Sequence, residues 1–281
     1  MNRQFRLAAA VAALAMLAMP GFAETPKDPK SPVPGHVDGR GPTGPVELKI
    51  VSPKPDEVIP VPEAAAGQPA AKGAPVTVKF EVKNFEIFAD EKTKDGQLIN
   101  FILDQGFSFT HADASKGWVF KSLPKGTHTI RAFVQRPWHE TIKEPAAFAM
   151  VTFHVGEKDG KNAPEPGTPV LSVTSPRGKI KKSEAGKILF DFWVTGCRVT
   201  EDAGPDTCRV RYKLDDKPET KLAKWESHWW EGLAVGKHAY VAGLTRDDKL
   251  IPGNLALASG TFEIVDETAA SAAPAPVPPK S

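Results

Sequence analysis

The chain has 281 residues, 36 basic and 34 acidic, with 41% hydrophobic side chains and two cysteines. Residues 1–23, MNRQFRLAAAVAALAMLAMPGFA, set Arg3 and Arg6 ahead of an apolar run and end on small residues, the pattern of a secretory signal peptide. Its removal leaves 34 bases against 34 acids, and that neutral balance excludes the basic footprint of a nucleic-acid binder or an electrostatic membrane binder.

No later stretch is apolar for long enough to span a bilayer, so no membrane span is expected. The mature chain should be periplasmic or secreted. Residues 24–45, ETPKDPKSPVPGHVDGRGPTGP, are rich in Pro, Gly and charge and poor in large apolar residues, which predicts a disordered leader in which His36 is solvated.

From 46 to 156 the chain alternates short β-rich runs with turn residues. Strands are predicted at 46–51, 76–83, 98–103, 117–123, 127–134 and 148–155. In VTVKFEVK the valines and Phe80 fall on one face, Thr77, Lys79 and Glu81 on the other. A linker at 157–168, EKDGKNAPEPGT, is expected to permit some relative motion before a second unit at 169–266. The tail, 267–281, is Ala/Pro-rich and expected to be disordered.

The second unit repeats the landmarks of the first. Leu171–Pro176 echoes Leu48–Pro53, residues 188–194 take the place of 76–82, an Asp-containing turn follows 98–103 and 208–214, and Gly236-Lys237-His238 matches Gly126-Thr127-His128. Short strands, frequent turn signals and no strongly amphipathic helix predict an all-β chain of two tandem immunoglobulin/fibronectin-like β-sandwiches. A His at the same turn in both copies points to folding rather than chemistry, its ring tied to a nearby backbone carbonyl.

Cys197 and Cys208 flank a short loop in an exported chain, which predicts one hairpin disulfide worth roughly 3 kcal/mol. The loop 135–148 concentrates Arg136, Trp138, His139, Glu140 and Lys143 between two strands, and is the candidate surface for a protein partner. The competing reading is structural, with Trp138 folded over the sandwich end and Arg136 paired with Glu140 above it. His111 and His139, with His154, are the candidate ligands if the chain handles copper or zinc, although no HxH or HxxxH spacing supports a metal. Trp225, Trp229 and Trp230 would form a glycan-stacking platform if exposed; in a strand Trp225 and Trp229 share one face and Trp230 takes the other. The chain carries no GxSxG, HExxH or phosphate-loop motif, so neither a catalytic residue nor a cofactor is expected and an enzyme is disfavoured.

The run GTHTIRAFVQRPWHETIKEPAAF from 126 to 148, with FILDQG upstream and KILFDFWV downstream, resembles an uncharacterised family of exported bacterial envelope proteins and lipoproteins with tandem immunoglobulin-like domains and an RPWHE loop. The resemblance implies an extracytoplasmic, non-enzymatic module and transfers no activity. The chain departs from the lipoprotein members in having no lipobox Cys. Its expected role is binding or scaffolding at the cell envelope, toward an unidentified envelope protein or a wall glycan.

Overall fold

The computed structural model describes residues 28–63, 71–92 and 94–266. The expected signal segment and tail lie outside these residues. The first sandwich comprises β1 (Glu47–Ser52), β2 (Val58–Ile59), β3 (Gly73–Lys83), β4 (Phe88–Ala89), β5 (Gly96–Leu103), β6 (Phe107–His111), β7 (Trp118–Pro124), β8 (Gly126–Gln135) and β9 (Phe148–Val155). The second comprises β10 (Val170–Ser175), β11 (Gly178–Lys181), β12 (Lys187–Thr195), β13 (Arg198–Val199), β14 (Thr207–Leu214), β15 (Thr220–Leu222), β16 (His228–Glu231), β17 (Gly236–Arg246), β18 (Lys249–Leu250) and β19 (Leu257–Val265).

In each unit a three-stranded sheet, β1-β3-β7 or β10-β12-β16, faces a larger one, β2-β9-β8-β5-β4 or β11-β19-β17-β14-β13. The chain crosses between sheets right after its first strand, so β2 lies parallel to β9 and β11 parallel to β19. That crossing and the sheet order define two immunoglobulin/fibronectin-like β-sandwiches. The repeat extends to backbone detail: β1 and β10 carry register shifts at Ile50/Ser52 and Val173/Ser175, and each is followed by a cis Ser–Pro bond.

The two cores follow from strand alternation. β3 sends Val76, Val78 and Phe80 inward against Ile99, Phe101, Ile130 and Phe153; β12 sends Ile188, Phe190 and Phe192 against Tyr212, Trp230 and Phe262. In β5 and β8, however, every residue is buried. A strand of a two-sheet sandwich should have one wet face, so these strands are covered from outside as well.

The leader lies over Gln97 and the linker over Thr127, and the centre is covered by the second sandwich. Ile102 and Phe133, on the outer face of β5 and β8, pack with Trp193 from the outer face of β12, and Phe148 and Trp225 join them. Phe148 stacks on Trp193 at 5.5 Å and Trp225 meets it edge-on at 4.8 Å. Trp193 is 2% exposed. Burying a side chain of ~200 Å² at ~25 cal/mol/Å² contributes roughly 5 kcal/mol, so this seam rivals an ordinary core contact.

The linker is also tied down. Asp159 accepts from Thr127 N at 2.9 Å, Asn162 donates to Thr127 O at 2.9 Å, and Asn254 of the second sandwich donates to Ala163 O at 2.9 Å. Hydrogen bonds to both sandwiches thus anchor the connection.

Candidate functional site

The polar centre of the seam is Asp191, in the middle of β12 and pointing away from its own core. Its side chain is wholly buried, and donors from both sandwiches converge on it. Lys143 Nζ lies 2.6 Å from Oδ1, and Thr141 donates to Oδ2 through its hydroxyl at 2.8 Å and its amide at 3.2 Å. From the second sandwich, Ser227 donates to Oδ1 at 2.7 Å and Thr174 to Oδ2 at 2.5 Å. A carboxylate so far from water is tolerable only with its lone pairs occupied and a cation beside it.

The loop 135–148 thus faces the protein's own second unit. Trp138 is 4% exposed and packs with Leu189 and Val33, with Trp229 alongside. Its Nε1 donates to Glu140 at 3.0 Å, Arg136 Nε pairs with Glu140 at 3.3 Å, and the Arg136 guanidinium lies over the indole at 5.7 Å. Glu140 Oε1 also lies 3.2 Å across the seam from the Ser227 hydroxyl, whose single proton is directed at Asp191. The expectation of an open recognition loop is corrected. The Arg136–Glu140 pair of the structural reading is present, but Trp138 covers the neighbouring unit rather than the end of its own.

Residues 28–45 are packed, not disordered. Val33 enters the cleft between Trp138 and Leu189, Arg40 N donates to the Gln97 side chain at 2.5 Å, and Thr43 N donates to Asn84 O at 3.0 Å. Composition misleads here because the segment builds no core of its own. It supplies one apolar side chain and several backbone donors to a cleft that others form.

His36, expected in solvent, is half-buried with its Nδ1 3.1 Å from Pro137 O and 3.6 Å from Asp95. Its ring meets His139 edge-on at 5.6 Å. His139 has a φ of 67°, a left-handed backbone that a non-glycine residue seldom adopts. Burial and the nearby Arg177 and His36 push its pKa down to about 3, so its ring is neutral at physiological pH. Among the described residues, one ligand atom each of His36, Asp95 and His139 lie within 4.8 Å of one another, a set that fits a divalent metal.

The expected grouping of His111 with His139 does not occur. His111 lies on β6 beside Trp118, with Nε2 2.8 Å from Lys116 O. His154, the third candidate ligand, is buried and spans Thr127 at 3.0 Å and Asp56 at 2.8 Å. The tryptophans form no open platform: Trp225 and Trp229 face the seam, and Trp230 is 5% exposed and stacks on Phe190 at 4.8 Å. The glycan-stacking geometry is therefore absent at these three residues.

Two sequence-level expectations hold at atomic detail. His128 bonds Asp104 through Nδ1 at 2.9 Å and Pro124 O through Nε2 at 2.9 Å; His238 does the same with Asp215 at 2.7 Å and Ala234 O at 2.9 Å. A carbonyl and a carboxylate both accept, so each imidazole donates from both nitrogens and is favoured as imidazolium. Burial lowers both pKa values, but the bond to the aspartate, then the bond to the carbonyl, leave them above the ordinary value. The Cys197–Cys208 disulfide is formed, although its flanks run side by side in parallel, Val199 opposite Cys208, rather than as a hairpin.

Asp191 and the His36–Asp95–His139 group were missed in the sequence. The first had a signal, since a lone Asp inside ILFDFWV marks a strand buried on both faces. The second had none, because His36 lies about a hundred residues from His139 in sequence.

Fold and seam together define a tandem immunoglobulin-like protein whose two sandwiches are joined face to face. No protein-family model and no curated protein sequence matches the chain, so the family resemblance is not established. Solved structures show only distant similarity. Fibronectin(III)-like modules of Clostridium thermocellum CbhA are 12% identical over 79% of this chain and 96% of theirs, with a TM-score of 0.25. Human mucin-like protocadherin EC1-2 is 10% identical over 78% and 98%, with a TM-score of 0.22. Red sea bream transglutaminase is 12% identical over 80% of this chain but 32% of its own, with a TM-score of 0.22. No helix among the described residues is long and apolar enough to cross a membrane.

Proposed function

We propose that the chain is a non-enzymatic, exported binding or scaffolding protein of the cell envelope that presents two sandwiches to a protein partner as one body. The observation supporting this reading is the convergence of both sandwiches on Asp191, which commits the most chemically dense loop of the chain to fixing the arrangement. In this reading Arg136, Trp138, His139, Glu140 and Lys143 act on partner binding indirectly, by holding the surface the partner meets. The test is crosslinking and co-purification from the native envelope, comparing wild type with Lys143→Met under conditions where both remain folded. A protein captured by wild type and lost in the variant supports the proposal. No specific capture, or capture indifferent to the seam, overturns it.

Metal handling is a second reading, favoured by the convergence of His36, Asp95 and His139. Calorimetry of the apoprotein with zinc or copper(II) should show one site per chain that weakens at least tenfold in His36→Ala. Absence of stoichiometric binding rejects it.

A further inference from the structure

A cavity of about 390 Å³ lies between the two sandwiches, beside the Asp191 cluster. One wall comes from the β5–β6 turn and β8; the others come from β10, the segment after it, and β19 with its approach. Its volume falls within the range of small-molecule sites, roughly 300–1,000 Å³. Two arginines, Arg131 and Arg177, line it, and no Asp or Glu does.

Neither guanidinium is neutralised by a carboxylate in contact. Arg131 is 4% exposed and donates only to neutral acceptors: Leu171 O at 3.1 Å, Ser172 Oγ at 2.9 Å and Asp104 O at 2.5 Å. Its Nε has no partner among the described residues. Arg177 is the sharper case, because both of its terminal nitrogens are shielded from solvent and find no acceptor among the described residues. Burial lowers both arginines to about 10, so both stay charged at neutral pH.

A buried guanidinium with donors left unbonded is costly to keep, and a fold that holds one beside a cavity has a use for it or a partner missing from the chain itself. The remaining lining is suited to a ligand with one charged end. Ser259 and Thr261 add hydroxyls, while Ile102, Leu255 and Leu257 add apolar surface. Tyr240 also lines the cavity, with its hydroxyl lying over Gly260 where an added Cβ would come within 2.4 Å, so residue 260 must stay glycine for the ring to sit there.

We propose that this cavity binds a small organic anion, with a phosphate or carboxylate group paired to Arg177 and Arg131 and a compact, partly apolar body against the remaining walls. A planar guanidinium matches either group, and Arg177, whose terminal nitrogens bond nothing among the described residues, can offer both by turning toward the ligand; in a water-poor site such a charge-assisted pair is stronger than at the surface.

The test uses the mature full chain in calorimetry and thermal-shift titrations with phenyl phosphate and benzoate as probes, benzyl alcohol as the uncharged control and inorganic phosphate as the bodiless one. The proposal expects saturable 1:1 binding of at least one anionic probe, at least tenfold weaker inorganic phosphate, and no binding of benzyl alcohol. Arg177→Met should weaken that binding at least tenfold while leaving the melting temperature of the ligand-free protein equal or higher, because an unpaired buried charge is removed. Binding by neither probe, binding unchanged in Arg177→Met, or inorganic phosphate binding as tightly as the organic probes would overturn it. A ligand-free Arg177→Met protein that melts clearly lower than wild type would mean that Arg177 has an internal partner, and would overturn it too.

Discussion

Lys143 in the first sandwich places its Nζ 2.6 Å from Oδ1 of Asp191 in the second, and the Asp191 side chain has no solvent contact. Removing the lysine leaves an uncompensated carboxylate in the seam. Lys143→Met is expected to cost about 3 kcal/mol in urea denaturation, the range for breaking a buried pair by deleting one partner. The double variant Lys143→Met, Asp191→Leu should recover part of that loss. Additive losses would show that the two residues are not coupled.

Trp138 joins Val33 and Leu189 in a small cluster of its own between loop, leader and second sandwich. Trp138→Ala is expected to cost about 3–4 kcal/mol, and to loosen the seam before either core unfolds. Limited proteolysis should then find new cleavage between 157 and 168. An unchanged digest would show that the indole does not hold the units together.

The paired His–Asp bonds predict a pH effect of definite sign. His128 and His238 hold their protons more tightly in the folded state than at the ordinary value of about 6.5. Their contribution is therefore complete below about pH 6.5 and is lost as pH rises through the raised folded values. The stability advantage of wild type over Asp215→Asn should be larger at pH 6 than at pH 8.5. An advantage that grows with pH would refute the assignment.

His139 has the opposite sign. With its folded pKa near 3, the folded chain rejects a proton that the unfolded chain accepts below about 6.5, so stability falls as pH drops through that interval. His139→Asn, which also tolerates the left-handed backbone there, should flatten the acid limb of the stability profile between about pH 6.5 and 3. A profile identical to wild type would place His139 in contact with water.

Cys197 and Cys208 close a short loop, eleven positions apart, on the edge of the second core. Replacing both with serine should lower stability by roughly 3 kcal/mol, read as a shifted urea midpoint of the second sandwich. No shift would show that the unfolded loop is already constrained.

Six strands of the first unit, the two-unit repeat and the tie from each turn histidine to a backbone carbonyl were legible in the sequence, whereas the aspartate partners Asp104 and Asp215, more than twenty residues away, were not. Alternation reports which face is apolar, and a glycine followed two residues later by histidine recurs in both copies. The use of Arg136–Lys143 was not legible, because charge density in a loop reads the same whether it meets solvent, a partner or the chain's own second unit. Asp191 was visible yet unread; a polar residue on the non-core face of an apolar strand signals a second buried surface. The leader was misread because disorder was inferred from what it could bury alone. Val33 needed only a place in a cleft built by Trp138 and Leu189.

The central claim is that the two sandwiches form one body, and an interdomain distance tests it most directly. Both native cysteines are in the disulfide, so spin labels can be placed at Val119→Cys and Val241→Cys, positions that are 56% and 59% exposed on opposite units. Pulsed electron-electron resonance should give one narrow distance distribution in this labelled parent, and a broad one when Trp138→Ala and Lys143→Met are added. A broad distribution in the parent would contradict the account.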